Sequence, residues 1–188
     1  MDTSIKLEEL LVSENIFFDI SRLKHLGKNV IIGKTVRIRQ PEKVSIGDNT
    51  IIDDFTYISC AMEIGENCHI ASHVSISGGK GTFRMGNYST LSSHVSVHCA
   101  SSDYAKTSLD LPSVPEEEQY GGHVEDVEIG DYVVIGSHSV ILPGVKVPDK
   151  LACGAFTLLN KKDYKDLSLY VGIPSKFLKT RIQTNKGE

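Results

Sequence analysis

The sequence lacks a long apolar run, a CxxC pair among its four cysteines, and any excess of basic residues. No stretch approaches the ~20 apolar residues that a bilayer-crossing helix needs, so a soluble protein is expected. The opening MDTSIKLEELLVSENIFF carries too many charges for a secretory signal. With no export signal and no CxxC pair, Cys60, Cys68, Cys99 and Cys153 are expected as reduced thiols in a cytoplasmic protein. A net charge of −4 with both signs interspersed gives no electrostatic footprint for nucleic acid. The 188 residues suit one domain with a substantial core.

The main apolar pattern also lacks helical periodicity. Apolar residues stand at Ile129, Ile135, Ile141, Val147, Cys153 and Leu159, every sixth position, and Gly130, Gly136 and Gly154 each follow one of them directly. A helix of 3.6 residues per turn cannot hold a period of six on one side, and an ordinary strand does not need glycine at a fixed offset. A fixed short period points to a β-solenoid, in which each short strand forms one side of a coil. The count starts near Ile32 and runs through Ile38, Ile46, Ile52, Ile58, Ile64, Ile70, Ile76, Met85, Leu91 and Val97. Three elements per coil would stack this apolar column inside a triangular prism, each coil satisfying its neighbour's backbone groups.

The departures from period six carry the functional signal. The steps from Ile38 to Ile46, Ile76 to Met85 and Val97 to Ile129 are eight, nine and thirty-two residues. With the faces labelled a, b and c from Ile32, every insertion leaves between face b and face c. Insertions confined to one side of a repeat array often mark its binding face. The same count puts His73, His94 and His138 three residues after successive face-a elements, stacked at one corner on rungs ~4.8 Å apart. Three imidazoles can hold a catalytic zinc; a solvated corner or a seam between subunits is the plainer reading. His69 lies on another part of its coil.

The hexapeptide series, the segment ILPGVKV (Ile141–Val147) and the tail YVGIPSKFLKTR (Tyr170–Arg181) resemble the left-handed β-helix acyltransferases that use acetyl-CoA. The run HIASHVSISGGKGTFRMGNYSTLSSHVSV followed by SSDY is similar to the sugar O- and N-acetyltransferases of bacterial surface-polysaccharide pathways. The resemblance implies an all-β, left-handed parallel β-helix over residues 30–160, with a cap segment at 1–29 and a tail at 161–188. The cap is expected to hold a short helix at Ser4–Leu11 with Thr3 or Ser4 as its N-cap. The resemblance further implies a homotrimer with sites between protomers, acetyl-CoA as co-substrate, and a sugar or nucleotide-linked sugar as acceptor.

In these enzymes a histidine just after the strand that opens the long loop serves as base; here that position falls near Ser102. The available substitutes are His98 first and His123 second, with Asp103 orienting a histidine or binding a sugar hydroxyl. For the pantetheine arm and phosphates the matching positions are Gly136, Ser137, Gly154, Ala155, Lys161, Pro174 and Lys176; small residues allow close backbone approach and lysine adds charge. The loop of residues 98–126, with Pro112, Pro115 and Gly121-Gly122, is long enough to expect that it shapes the acceptor pocket. No metal is assigned. The alternatives are acetylation of an amino acid or antibiotic, a γ-carbonic-anhydrase-like metalloenzyme built on the histidine corner, and a noncatalytic scaffold.

Overall fold

The computed structural model describes residues 15–183. The expected helix at Ser4–Leu11 and the last residues, 184–188, lie outside them. The described chain has three short 3₁₀ turns, Ile20–Arg22, Pro41–Lys43 and Glu116–Glu118, and is otherwise strands and corners. No helix among the described residues is long and apolar enough to cross a membrane.

Three parallel sheets form the sides of a prism, and their register follows the six-residue count. On face a, Ile32, Ile52, Ile70, Leu91, Ile135 and Cys153 align rung on rung. On face b the column is Ile38, Ile58, Ile76, Val97, Ile141 and Leu159. On face c it is Ile46, Ile64, Met85, Ile129 and Val147. All these side chains are buried and form one continuous core, with Phe83 the largest wholly buried member. Because each strand is only two to four residues long in the coils, stability resides in the stacking of coils rather than in any strand alone.

Both ends extend beyond the counted series. Strand His25–Leu26 pairs with Val44–Ile46, adding a rung to face c six residues before Ile32. Ser168–Val171 pairs in parallel with Ala152–Cys153 and puts Tyr170 at the end of the face-a column. Lys176–Thr180 then returns antiparallel along it, closing the sheet through the turn at Gly172–Ser175.

The fixed glycine is explained by what stacks on it. A Cβ on Gly86 would lie 2.2 Å from Asp131 Oδ1, the oxygen that accepts the Asn87 backbone N–H at 2.7 Å. The same carboxyl or amide cap recurs where Asp48 accepts from Lys28 N–H and Asp149 from Asp131 N–H. Glycine therefore makes room for the next coil's cap, which satisfies a corner N–H that the ladder leaves unpaired. The positive φ of these corners falls two positions later, on Asn49, Asn67, Tyr88 and Tyr132 at 55° to 57°.

The outward sides of the faces differ in charge. Face c carries a paired ladder: Lys24–Glu63 at 3.5 Å, Arg84–Glu63 at 3.3 Å and Lys146–Glu128 at 3.3 Å. Face a presents Ile31, Ile51, His69, Thr90, Val134 and Ala152, and His69 is satisfied by Asp53 at 2.8 Å.

Candidate functional site

All three insertions leave at the edge between faces b and c, and they converge. The first holds Arg39 and Gln40 ahead of the 3₁₀ turn Pro41–Lys43. The second is the run Gly78-Gly79-Lys80-Gly81, and the third folds into a hairpin in which Ala100–Ser102 pairs antiparallel with Gly122–Val124. Together with Tyr57 and Ser77 on the outer side of face b, they enclose a cleft of about 720 Å³. That lies inside the roughly 300–1,000 Å³ typical of small-molecule sites.

The long loop is tied down at several points. Its entrance is fixed by the Cys99 N–H donating to Ser77 O at 2.7 Å, and its exit by Glu125 N–H donating to Cys99 O at 3.0 Å. Asp126 accepts from Thr82 N–H at 2.9 Å and from Arg84 Nη1 at 2.8 Å. The Arg84 contact, followed by the Thr82 amide, holds the Asp126 carboxyl below its ordinary pKa. Lys80 pairs with Glu116 across the mouth, and Lys161 pairs with Glu125, binding the exit to the last coil.

His98 ends strand Ser96–His98, half-buried, with Nδ1 3.2 Å from Ser77 Oγ. Ser77 Oγ also lies 3.4 Å from Val97 O, an acceptor for its hydroxyl proton when the Ser77 oxygen accepts from a protonated Nδ1. That tautomer leaves Nε2 unprotonated. Burial pushes the His98 pKa down, favouring the neutral ring. His123 lies opposite Ser101 in the hairpin and borders the cleft. Asp103 is engaged by its own turn. It accepts from Ala105 N–H at 3.0 Å and pairs with Lys106 at 3.3 Å, and these two contacts hold its carboxyl pKa down, with a smaller contribution from His123. Asp103 is not among the residues that line the cleft.

Five of the seven donor positions come together. Gly136-Ser137 and Gly154-Ala155 occupy successive turns at the corner between faces a and b, joined by Phe156 N–H donating to Ser137 O at 2.9 Å, and Pro174 lies in the turn Gly172–Ser175, whose Ser175 N–H donates to Leu158 O at 2.9 Å. A Cβ on Gly136 would sit 2.5 Å from Ala155 N, so this glycine serves the coil stacking, whereas Gly154 meets only the Val171 side chain. The two lysines stand apart. Lys161 is at the other edge, in its ion pair with Glu125, and Lys176 is exposed where the last strand begins.

The same corner carries the histidine ladder. The rings of His73, His94 and His138 stack at 4.7 and 4.6 Å, and Phe55 and Phe156 extend the stack at 4.9 and 4.8 Å. Stacking sets the rings face to face at rung spacing, whereas a tetrahedral metal needs nitrogen lone pairs converging on one point. No group of three or more His, Cys, Asp or Glu suited to a metal ion occurs among the described residues.

The cleft residues Arg39, Gln40, Tyr57 and Ser77 are not singled out by sequence reasoning. The insertion pattern marks their edge; only the fold brings the three insertions to one place.

Residues 43–78 match the family model described as bacterial transferase hexapeptide (six repeats). Over 161 residues the chain is 34% identical to a dTDP-4-amino-4,6-dideoxy-D-glucose acyltransferase of Escherichia coli, covering 84% of this chain and 82% of that protein. Among solved structures it is similar to a variant of AntD, an N-acyltransferase from Bacillus cereus, in complex with dTDP-4-amino-4,6-dideoxyglucose and coenzyme A. There the TM-score is 0.82 at 31% identity, covering 91% of this chain and 93% of that one. A maltose O-acetyltransferase from Clostridium difficile shares the fold at TM-score 0.57 and 18% identity, over 94% and 85% of the two chains. The six-residue column, the parallel three-sided coils and these likenesses meet in one assignment: the chain belongs to the hexapeptide-repeat acyltransferases, and its solenoid is their left-handed parallel β-helix.

Proposed function

We propose that this enzyme transfers an acetyl group from acetyl-CoA to a sugar carried on a nucleotide, with an amino group of the sugar as the preferred acceptor. The observation that carries this reading is the convergence of all three insertions on one cleft lined by Ser77, whose Oγ lies 3.2 Å from His98 Nδ1, in a chain whose relatives act on or bind a dTDP-linked amino sugar. The acceptor nitrogen attacks the thioester carbonyl, the C–N bond forms, the C–S bond breaks, and the nitrogen's proton must leave.

His98 is the preferred base. With the Nδ1 proton donated to Ser77 Oγ its Nε2 is free to take a proton, and burial favours the neutral ring. His123, which borders the cleft, is the second choice, and Asp103 supports the hairpin that carries it. The pantetheine arm is assigned to the corner of Gly136, Ser137, Gly154, Ala155 and Pro174, where small residues leave backbone amides approachable. Lys161 and Lys176 are assigned to the phosphates, which requires Lys161 to exchange Glu125 for the ligand.

The active form is a homotrimer. The mainly apolar and neutral outer side of face a, with Ile31, Ile51, Thr90, Val134 and Ala152, and the exposed Phe55–Phe156 ring stack contrast with the paired charges of face c, and a closed ring uses two different patches per copy. Four free cysteines suit a cytoplasmic enzyme that prepares sugars for a surface polysaccharide. The test is incubation of the purified protein with labelled acetyl-CoA and a panel of nucleotide sugars, read by mass. Transfer to a nucleotide-linked amino sugar supports the reading; transfer to free sugars or amino acids alone overturns it. Light scattering in solution tests the trimer.

A further inference from the structure

Within the cleft, one buried side-chain oxygen has no hydrogen-bond partner among the described residues. Gln40 stands ahead of the 3₁₀ turn Pro41–Lys43, where side chains often cap, yet its side chain makes no cap bond. Its Oε1 is shut off from bulk water and accepts no hydrogen bond, although the residue borders the cleft. A buried amide oxygen left unpaired costs about 1–3 kcal/mol, so such a group is rare in a structural position and points to a partner that arrives from outside. Around it are two further features of one ligand class. The Arg39 guanidinium has no ion pair or hydrogen bond among the described residues, and it borders the same cleft. Tyr57 and Tyr120 also border it, and neither ring stacks on another aromatic.

We infer that Gln40 reads the base of the nucleotide, and that Arg39 holds its diphosphate. This rests on the nucleotide-sugar reading above and goes beyond it by assigning the acceptor's specificity to two residues of the first insertion. A carboxamide offers an acceptor and a donor side by side. That pair complements an imide edge, N–H beside C=O, as in thymine and uracil. Cytosine presents an unprotonated ring nitrogen beside an amino group, so the amide meets it only when turned over, with Nε2 on the ring nitrogen and Oε1 on the amino group; a preference between the two bases therefore reads the orientation in which the cleft holds the amide. The terminal amide torsion of glutamine is broad, so rotation about it turns Oε1 from its closed position toward an entering base. The tyrosines supply aromatic surface for the base plane, and the guanidinium supplies the fork that matches phosphate oxygens.

The test is titration of the intact protein with dTDP, CDP and GDP by calorimetry, on the wild type and on Gln40→Met and Arg39→Ala. Gln40→Met keeps the length of the side chain and removes both amide groups. The wild type is expected to prefer dTDP to CDP. Gln40→Met should weaken dTDP roughly tenfold to a hundredfold, the range of one lost amide–base pair, and bring the two pyrimidine nucleotides close together. Arg39→Ala should weaken all three nucleotides alike. Because the orphaned oxygen is removed, Gln40→Met should melt no lower than the wild type, which separates lost recognition from lost folding. Equal dTDP affinity in wild type and Gln40→Met overturns the inference, as does an equal loss for every nucleotide. Acetyl transfer is measured separately. Unchanged acceptor KM in Gln40→Met sinks this assignment and leaves the acyltransferase reading intact, whereas dTDP binding without transfer to any nucleotide sugar does the reverse.

Discussion

Gly81 gives a sharp test of how the solenoid positions the cleft. A Cβ at this position would lie 2.6 Å from Cys99 Cβ, 2.9 Å from Cys99 O and 3.3 Å from Val124 Cγ1. Its φ is not in the left-handed region, so Gly81→Ala adds crowding without backbone strain. Cys99 and Val124 are the two sides of the long loop's neck, and Cys99 is pinned by hydrogen bonds to Ser77 and Glu125. The neck has to move by several tenths of an ångström to admit the methyl group. Overpacking of this kind costs about 1–3 kcal/mol, and a misplacement approaching 1 Å at a reacting centre lowers turnover by up to ~10²-fold. The variant is expected to unfold earlier in urea by that amount, to raise the acceptor KM and lower kcat, and to bind acetyl-CoA as before. Gly79 is the stability control: a Cβ there meets nothing within 4 Å, and its φ of 49° suits asparagine. Gly79→Asn should change stability by less than ~1 kcal/mol. Wild-type stability and wild-type acceptor kinetics in Gly81→Ala would refute the neck's role.

Further outcomes follow from other parts of the molecule. Burial lowers the His98 pKa, so its neutral, base-competent form persists below the ordinary imidazole value of about 6.5; the acid limb of kcat/KM should fall below that pH and vanish in His98→Ala, and undiminished turnover in that variant transfers the role to His123. The same depression means that the unfolded chain takes up the His98 proton first as pH falls, so its contribution is lost stability between the ordinary pKa and the lowered one, visible as an earlier urea midpoint over that window. His94→Ala removes two ring contacts and Phe156→Ala one, at similar positive φ; at about 0.5–1.5 kcal/mol per pair, the urea midpoint should drop about twice as far for His94→Ala. Lys161→Ala loses an exposed pair worth about 0–1 kcal/mol, so stability should barely move while the acetyl-CoA KM rises; an unchanged KM leaves Glu125 as the lysine's only partner.

Whether a feature could be read from the sequence depended on how far its cause extends along the chain. The core columns repeat every six residues, so the prism, its three faces, the insertion edge and the histidine stack all follow from counting, and each falls where the register places it. Leu26 obeys the same count, one step before Ile32. Tyr170 does not: it reaches face a after an irregular stretch, and only its pairing with Cys153 shows that it closes the column. At the site, Asp103 illustrates competition between local and distant bonds. Near the expected base it looked available, but its carboxylate is taken by the N–H two residues on and by Lys106.

Lys161 shows the same limit for charge. A lysine near the end of the coils matches a phosphate ligand by position, yet Glu125, on the far end of the long loop, reaches it first. Gln40 is the converse case. Nothing adjacent to it in sequence suggests a site, because the walls facing it come from the insertion after Ser77 and from the hairpin around Tyr120. The strict repeat fixes where loops must leave, but the contacts the loops make with one another are long-range, and those contacts decide which side chains remain free to meet a ligand. The orphaned Gln40 oxygen and the unpaired Arg39 fork are two cleft groups that the loops leave without a partner among the described residues, and for that reason they are where the acceptor's identity should be sought.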